Sequence, residues 1–176
     1  MISADTLTSD PTLLQEEDFL EYALSRGFGE LHFKVDSRTG MKAIVAIHST
    51  ELGPALGGCR FISYPTTMAA MFDAMRLARS MSYKAALANL PLGGGKAVMI
   101  KPAAEFDREA YLHGFGQFVK DLNGRYITAL DSGTQLSDMD IIAQHTKHVA
   151  SLSSYNGDPS PHTAKGVLRG IHAAVL

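Results

Sequence analysis

Two lysines and a run of glycines are the residues whose types and spacing best suit chemistry in this chain. Lys84 follows Met81 by three positions, and Lys96 comes directly after the glycines at 93–95. Glycines let the backbone approach a ligand closely because they carry no side chain. A second cation nearby favours the neutral amine of a lysine. Two lysines at one pocket could therefore divide their roles, one binding a carboxylate as a cation and the other acting as a base.

The glycine run is also compatible with other roles. A nucleotide-binding P-loop is excluded by spacing, because it needs glycine at position 90 and serine or threonine at 97, where the chain has Leu90 and Ala97. A turn followed by a solvent-exposed lysine stays open as an alternative. Schiff-base chemistry at Lys96 is a second open alternative, since a lysine amine can attack a carbonyl carbon.

An aspartate and a glycine pair are the next candidates. Asp131 follows a predicted buried strand, and ligands gather at the carboxyl ends of strands in open α/β sheets. The alternative is that Asp131 caps a turn or a helix, as aspartate often does. Gly57 and Gly58 either line a site or form a tight turn.

The remaining reactive side chains give weaker signals. Cys59 is the single cysteine, which excludes an intrachain disulfide and a multi-cysteine metal site. We expect a buried and unreactive thiol, because nothing in the adjacent sequence would activate it. His145 and His148 are three positions apart, but no third ligand is evident, so we expect a solvated helix face and no metal site.

Composition narrows the class of protein. The chain has 176 residues, of which 45% are apolar and 19% charged, an ordinary globular composition. Its 16 basic and 18 acidic residues leave a net charge of −2, which argues against a nucleic-acid partner. No apolar run reaches the roughly 18 residues of a membrane span, and residues 1–12 lack the features of a signal peptide. We therefore expect a cytoplasmic protein with neither a nucleic-acid nor a membrane partner.

The elements that must position these residues alternate between strands and helices after residue 60. Apolar periodicity predicts strands over 30–36, 41–48, 96–100, 126–130 and 149–152. It predicts helices over 11–27, 66–88, 106–122, 137–145 and 163–176, and a glycine-rich loop over 52–60. The first two strands should form a hairpin. The sequence thus predicts an α/β fold whose sheet is mixed, largely parallel and flanked by helices.

Four segments recur in an order and spacing that resemble a known family. They are Leu52–Gly58, Met81–Lys84, Leu90–Lys96, and Asn123–Thr128 followed by Asp131. Together they resemble the N-terminal domain of the glutamate/leucine/phenylalanine/valine dehydrogenases, and the leucine-type members most closely. The resemblance extends from about residue 28 to the end of the chain.

The resemblance implies a domain organisation. Residues 1–160 would form a substrate-binding and oligomerisation domain, and 161–176 would begin the helix that leads to a nucleotide-binding domain. The last predicted helix runs to Leu176 without a stop signal. We therefore expect the chain to lack the Rossmann domain that relatives need, and to be inactive alone.

The resemblance also implies a reaction, the reversible oxidative deamination of an L-amino acid to a 2-oxo acid and ammonia with NAD as cofactor. Lys84 would bind the α-carboxylate, Lys96 would be the catalytic lysine, and Asp131 would relay the proton. Thr163 would approach the nicotinamide amide. The runner-up is a non-catalytic oligomerisation or regulatory module that retains the fold.

The substrate side chain is expected to meet apolar residues. The resemblance implies that Gly57, Gly58 and Met81 line the substrate pocket. Relatives that take glutamate tend to carry a lysine at the position of Leu56, and a leucine offers neither charge nor donor. Burying a second carboxylate against it would be unfavourable. We therefore expect a branched apolar amino acid as substrate.

Self-association is expected from the hairpin at 30–48. No helix follows the hairpin to cover its outer edge, and exposed strand edges tend to be paired or blunted. Relatives oligomerise through this domain, so the chain is predicted to form a homo-oligomer.

Overall fold

A five-stranded sheet between two layers of helices forms the protein. The computed structural model describes residues 19–175. The strands are Glu30–Asp36 (β1), Met41–Ser49 (β2), Ala55–Ile62 (β3), Gly93–Ile100 (β4) and Tyr126–Ala129 (β5). The helices are Phe19–Ser25 (α1), Thr67–Leu87 (α2), Arg108–Asp121 (α3), Leu136–Ala143 (α4) and Ser160–Ala174 (α5).

The sheet is mixed, with the strand order β1-β2-β4-β3-β5. β1 pairs with β2 and β2 pairs with β4 in antiparallel orientation, whereas β3 pairs with both β4 and β5 in parallel orientation. This confirms the predicted α/β class and its mixed sheet, with the pairings divided equally between the two orientations. The predicted hairpin is β1 and β2, joined by a turn that ends at Gly40.

Each face of the sheet has its own apolar core. Side chains of α3 and α4, including Tyr111, Phe115 and Ile142, cover one face. On the other face the alanines of α2, with Met75 among them, pack against Val98 of β4. Small residues let α2 approach the sheet closely, because a side chain at Gly94 would collide with the backbone of Ser82 in α2. The glycines of β4 therefore set the depth at which α2 lies on the sheet.

Two expectations about glycines are wrong. The predicted loop over 52–60 contains most of β3, and the glycines at 93–95, which lie outside the strand predicted over 96–100, are the start of β4. Glycines carry no apolar or polar signal, so they hide the alternation that marks a strand. They are needed there because neighbouring backbones are close. A side chain at Gly57 would collide with the backbone oxygen of Gly95.

The shorter elements bring smaller corrections. The predicted strand over 149–152 is only a single bridge between Thr128 and Val149. The helix predicted over 137–145 is α4, and its N-cap is Gln135 in a capping box with Asp138. The helix predicted over 11–27 is described from residue 19, and its earlier residues lie outside the described part.

The long helices begin where the sequence places them. Thr66 caps α2 by accepting a hydrogen bond from the backbone N–H of Ala69, and Asp107 caps α3 in the same way through Ala110. The predicted helix over 163–176 begins earlier, at Ser160. Among residues 19–175 no helix is long and apolar enough to cross a membrane.

Candidate active site

A single cavity brings together all the site residues that the sequence singled out. Its volume is ≈ 1140 Å³, and it lies on the α2 side of the sheet. Its lining includes every predicted position: Leu56, Gly57, Gly58, Met81, Lys84, Lys96, Asp131 and Thr163. The two lysines and the aspartate therefore share one cavity.

The two lysines reach the cavity from different elements. Met81 and Lys84 are three positions apart on α2, so they lie on the same face of that helix. Lys96 lies in the interior of β4, two positions before Val98, and strand alternation directs both side chains towards α2. Lys84 is solvent-exposed, whereas Lys96 is only 5% exposed. Lys84 thus lies in the helix predicted over 66–88, whereas Lys96, expected at the first position of a strand, lies in a strand interior.

The contact between Lys96 and Asp131 crosses a whole strand. Asp131 follows β5 and Lys96 belongs to β4, and β3 lies between them. Gly58 of β3 leaves the necessary space, because a Cβ atom there would lie 2.5 Å from Asp131 Oδ2 and 2.8 Å from Asp131 Cβ. Through this gap Lys96 Nζ donates a hydrogen bond to Asp131 Oδ2. A side chain at Gly58 would separate the two charged groups.

The loop after β5 holds the aspartate in place. The backbone N–H of Ser132 donates to Asp131 Oδ1 over 2.6 Å, and the backbone N–H of Asp131 donates to Thr134 Oγ1 over 2.9 Å. Arg108 of α3 donates to the backbone oxygen of Gly133 over 2.8 Å. These contacts fix a loop in which Gly133 has a φ of +84°, a backbone conformation that favours glycine.

Sequence reasoning missed two arginines that act on this region. Arg108 is tied to the loop and to Asp138, and no local pattern marks it. Arg60 Nε lies 3.7 Å from Asp131 Oδ1. Its position two residues after Gly58 in one strand is the signal that could have found it, because both residues lie on the same face.

Burial changes the acid–base behaviour of Lys96. Removal from water lowers the pKa of its ammonium group to about 8, and the Arg60 guanidinium acts in the same direction. The carboxylate of Asp73 acts in the opposite direction. Lys96 therefore exchanges between ammonium and neutral amine not far above neutral pH. A neutral amine can accept a proton, as a general base must.

The weaker candidates lie outside the lining of the cavity. Cys59 is fully buried on the α3 side of the sheet, and burial raises the pKa of its thiol to about 11. His145 Nε2 lies 2.8 Å from Nδ1 of His113 on α3. Within residues 19–175 no group of three or more His, Cys, Asp or Glu side chains could hold a metal ion.

The sequence of this chain matches a known family. Residues 28–148 match the family described as Glu/Leu/Phe/Val dehydrogenase, dimerisation domain. The chain belongs to this family. It shares 48% identity over 160 residues with leucine dehydrogenase from Geobacillus stearothermophilus, which covers 89% of this chain and 44% of that relative. Valine dehydrogenase from Streptomyces virginiae is 48% identical over 142 residues, covering 79% of this chain and 40% of the relative.

Solved structures of the dehydrogenases have the same fold. L-tryptophan dehydrogenase from Nostoc punctiforme superposes with a TM-score of 0.73 at 42% identity, over 89% of this chain and 43% of that chain. A hetero-hexameric glutamate dehydrogenase from Thermus thermophilus has a TM-score of 0.63 at 19% identity, over 79% of this chain and 41% of that chain, which shows the fold alone. The chain spans less than half the length of these Glu/Leu/Phe/Val dehydrogenase relatives.

The first prediction for this dehydrogenase-family chain concerns the titration of Lys96. In the 176-residue protein with ¹³C-labelled lysine, the Lys96 signal should titrate near the pKa of about 8 that burial produces. Below that pH the group is an ammonium, and above it a neutral amine. The Lys96→Met variant assigns the signal in NMR spectra. A Lys96 signal that titrates with the exposed lysines, near the ordinary value of about 10.4, would contradict the burial of this amine.

Proposed function

We propose that this chain is the substrate-binding part of an amino-acid dehydrogenase that converts an apolar L-amino acid reversibly to a 2-oxo acid and ammonia. One observation carries the proposal, the buried Lys96–Asp131 pair that shares a cavity with the exposed Lys84. This arrangement supplies a fixed cation for a carboxylate and a separate amine for proton transfer. Membership of the dehydrogenase family makes oxidative deamination the reaction that such a site fits best.

Substrate binding begins at Lys84. Its ammonium group pairs with the α-carboxylate of the amino acid, and its exposure lets the side chain meet a ligand that enters from water. Met81, one turn away on α2, provides an apolar wall for the substrate side chain. The α-carbon then lies towards Lys96 and Asp131.

Lys96 and Asp131 handle the protons of the hydrolytic steps. As water attacks the carbon of the substrate imine, the neutral amine of Lys96 removes a proton from the water. A C–O bond forms, and the electron pair of the C=N π bond moves to the nitrogen. Asp131 accepts a proton from Lys96 across their hydrogen bond. The proton then passes to the nitrogen of the substrate. Lys96 removes the proton of the new hydroxyl group, a C=O bond forms as the C–N bond breaks, and ammonia and the 2-oxo acid are released.

NAD is the proposed cofactor, and the residues present are compatible with it. The cavity of ≈ 1140 Å³ is larger than an amino acid requires and extends to Ser160 and Thr163 at the start of α5. Thr163 would approach the amide of the nicotinamide, and a domain outside this chain would bind most of the dinucleotide. When bound, the nicotinamide ring supplies the acceptor for the hydride of the α-carbon.

The second prediction separates the roles of the two lysines. A chimera joins this chain to the remaining sequence of the Geobacillus stearothermophilus relative. The parent chimera should oxidise leucine with NAD. Lys96→Ala should lower kcat, because the proton acceptor is lost, whereas Lys84→Ala should mainly raise KM, because carboxylate binding is lost. Steady-state kinetics measure both effects.

The matched control is Lys101→Ala, a lysine outside the lining of the cavity. It should leave both constants near those of the parent chimera. A folded parent chimera without amino-acid oxidation would contradict the enzyme and favour the non-catalytic module. Lys96→Ala with the parent kcat would contradict the catalytic assignment.

Leu56 supports an apolar substrate. It lines the cavity at the start of β3 and offers neither charge nor hydrogen-bond donor to a substrate carboxylate. Desolvating a second carboxylate there is unfavourable. We therefore propose leucine, valine and isoleucine as substrates ahead of phenylalanine, with glutamate rejected.

The third prediction is a substrate panel on the chimera. Leucine, valine and isoleucine should have the highest kcat/KM, and should differ modestly because one methylene is worth about 1–3 kcal/mol. Leu56→Lys should lower kcat/KM for leucine and raise it for glutamate, and Leu56→Met serves as the matched control that keeps the site apolar. A parent chimera that prefers glutamate over leucine would show that position 56 does not select the side chain.

Homo-oligomerisation through β1 is part of the proposed function. β1 is an edge strand of the sheet, and Phe33 and Val35 on it are 76% and 65% exposed. They border an apolar groove of ≈ 380 Å³ with Met71 of α2. A second copy of this chain fits such an edge, because strand pairing would satisfy its backbone groups and cover the apolar side chains. The family description as a dimerisation domain agrees with this occupant.

The fourth prediction is the oligomeric state in solution. Light scattering of the 176-residue chain should give at least twice the monomer mass, and Phe33→Lys should shift it towards the monomer. Leu168→Lys, on the exposed face of α5, is the matched control. A monomeric parent at high concentration would contradict association through β1.

A further inference from the structure

We infer that Arg60 is a positioning residue for the proposed reaction, in which its guanidinium group holds the oxygen of Asp131 that Lys96 does not contact. The inference rests on the proposed function, because it assigns a supporting role in the proton transfer between Lys96 and Asp131. It follows from the position of Arg60, from its anchor, and from one buried N–H group that lacks a hydrogen bond.

The anchor of Arg60 is Asp73 on α2. Arg60 Nη1 donates to Asp73 Oδ2 over 2.7 Å. Tyr64 donates its hydroxyl proton to the same oxygen over 2.7 Å, and Arg76 Nη2 donates to Oδ1 over 2.8 Å. Three donors thus fix the Asp73 carboxylate, and that carboxylate fixes the end of the Arg60 side chain. The Arg60 side chain is 22% exposed, so most of its surface lies against the protein.

The other side of the guanidinium group faces Asp131. Arg60 Nε lies 3.7 Å from Asp131 Oδ1, which is an ion pair but too long for a hydrogen bond. This nitrogen is buried and makes no hydrogen bond within residues 19–175. A buried donor without a partner is costly and rare, so its presence beside a reacting carboxylate needs an explanation. A shift of about 0.7 Å would bring the two atoms to hydrogen-bond distance.

That shift fits the proposed reaction. In the structure Asp131 Oδ2 accepts from Lys96, while Oδ1 accepts from the backbone of Ser132 and faces Arg60. When Lys96 moves towards the substrate, Asp131 loses that donor. The Arg60 N–H group then supplies a replacement and holds the carboxylate in place, so that Asp131 accepts the proton when its hydrogen bond with Lys96 forms again.

The charges around Lys96 make this role measurable. Arg60 faces it from β3, Asp73 and Lys84 face it from α2, and Asp131 contacts it from the loop after β5. Cys59 acts on it through its charge from the other side of the sheet. Arg60 and Lys84 lower the pKa of Lys96, whereas Asp73 raises it. Loss of the Arg60 charge must therefore raise the pKa of Lys96, and loss of the Asp73 charge must lower it.

The experiment follows the Lys96 titration by NMR in the 176-residue chain. Arg60→Gln should raise the apparent pKa by about one unit, because a neighbouring cation is lost. Asp73→Asn should lower it, since a supporting anion is lost and Arg60 is released towards Asp131. Arg76→Gln is the matched control, because it removes one donor to Asp73 but has no contact with Asp131, and it should titrate like the parent.

A folded Arg60→Gln variant with the parent titration would overturn the inference. If Arg60→Gln does not fold, the Asp73→Asn variant provides the test. An apparent pKa of Lys96 that is unchanged or raised in this variant would also overturn the inference. The opposite shifts report the charges of Arg60 and Asp73 beside Lys96, and the kinetics of the chimera distinguish positioning from a purely structural role.

Kinetics of the chimera separate charge from geometry. Arg60→Lys keeps the positive charge but lacks the Nε–H group, so the Lys96 titration should stay near that of the parent while kcat falls about 10–100-fold at nearly constant KM. An unchanged kcat would contradict the positioning role. An inactive parent chimera would instead count against the proposed function, and the NMR titrations would still test the effect of Arg60 on the pair.

Discussion

The hydrogen bond between Lys96 and Asp131 is the interaction on which the rest of the site depends. Its partners belong to β4 and to the loop after β5, and they meet across β3 only because Gly58 has no side chain. The parallel pairing of β3 with both neighbours places the three segments side by side. The glycines that look like a loop in the sequence are thus a structural requirement of the charged pair.

Burial of this pair lowers the pKa of Lys96 and also requires the free energy of desolvating both groups. An ion pair removed from water gains little net stability, because the desolvation of both groups offsets their attraction. Here burial lowers the pKa of Lys96 to about 8, where an exposed lysine would remain fully protonated. The same cavity contains Lys84, which is exposed. The two lysines thus lie in different environments. The exposed environment suits the binding of an anion, and the buried one suits proton transfer.

The sequence predicted the local features well and the long-range ones poorly. The hairpin of β1 and β2 and the helix α2 depend on short-range periodicity and caps, so they could be predicted. The insertion of β4 between β2 and β3 depends on pairings between distant segments, which no local pattern shows. The glycine-rich strands were missed because glycines conceal strand alternation.

The site residues could be named from the order and spacing of the four segments that carry the resemblance, and the structure gathers them in one cavity. Arg60 could not be predicted in this way, because its partners Asp73 and Asp131 lie on α2 and after β5. The role of Arg60 depends on contacts among β3, α2 and the loop after β5, and the spacing of residues along one element does not reveal such contacts.

The most direct test of this account is the Lys96 titration in a Gly58→Ala variant, measured by NMR beside Asp131→Asn. The added methyl group should push Asp131 away, and loss of the carboxylate partner should lower the pKa of Lys96 below that of the parent. Gly58→Ala should then titrate like Asp131→Asn, whereas Gly166→Ala, where a side chain meets nothing within 4 Å, should titrate like the parent. A folded Gly58→Ala variant in which Lys96 titrates as in the parent would contradict the claim that Gly58 admits Asp131 to Lys96.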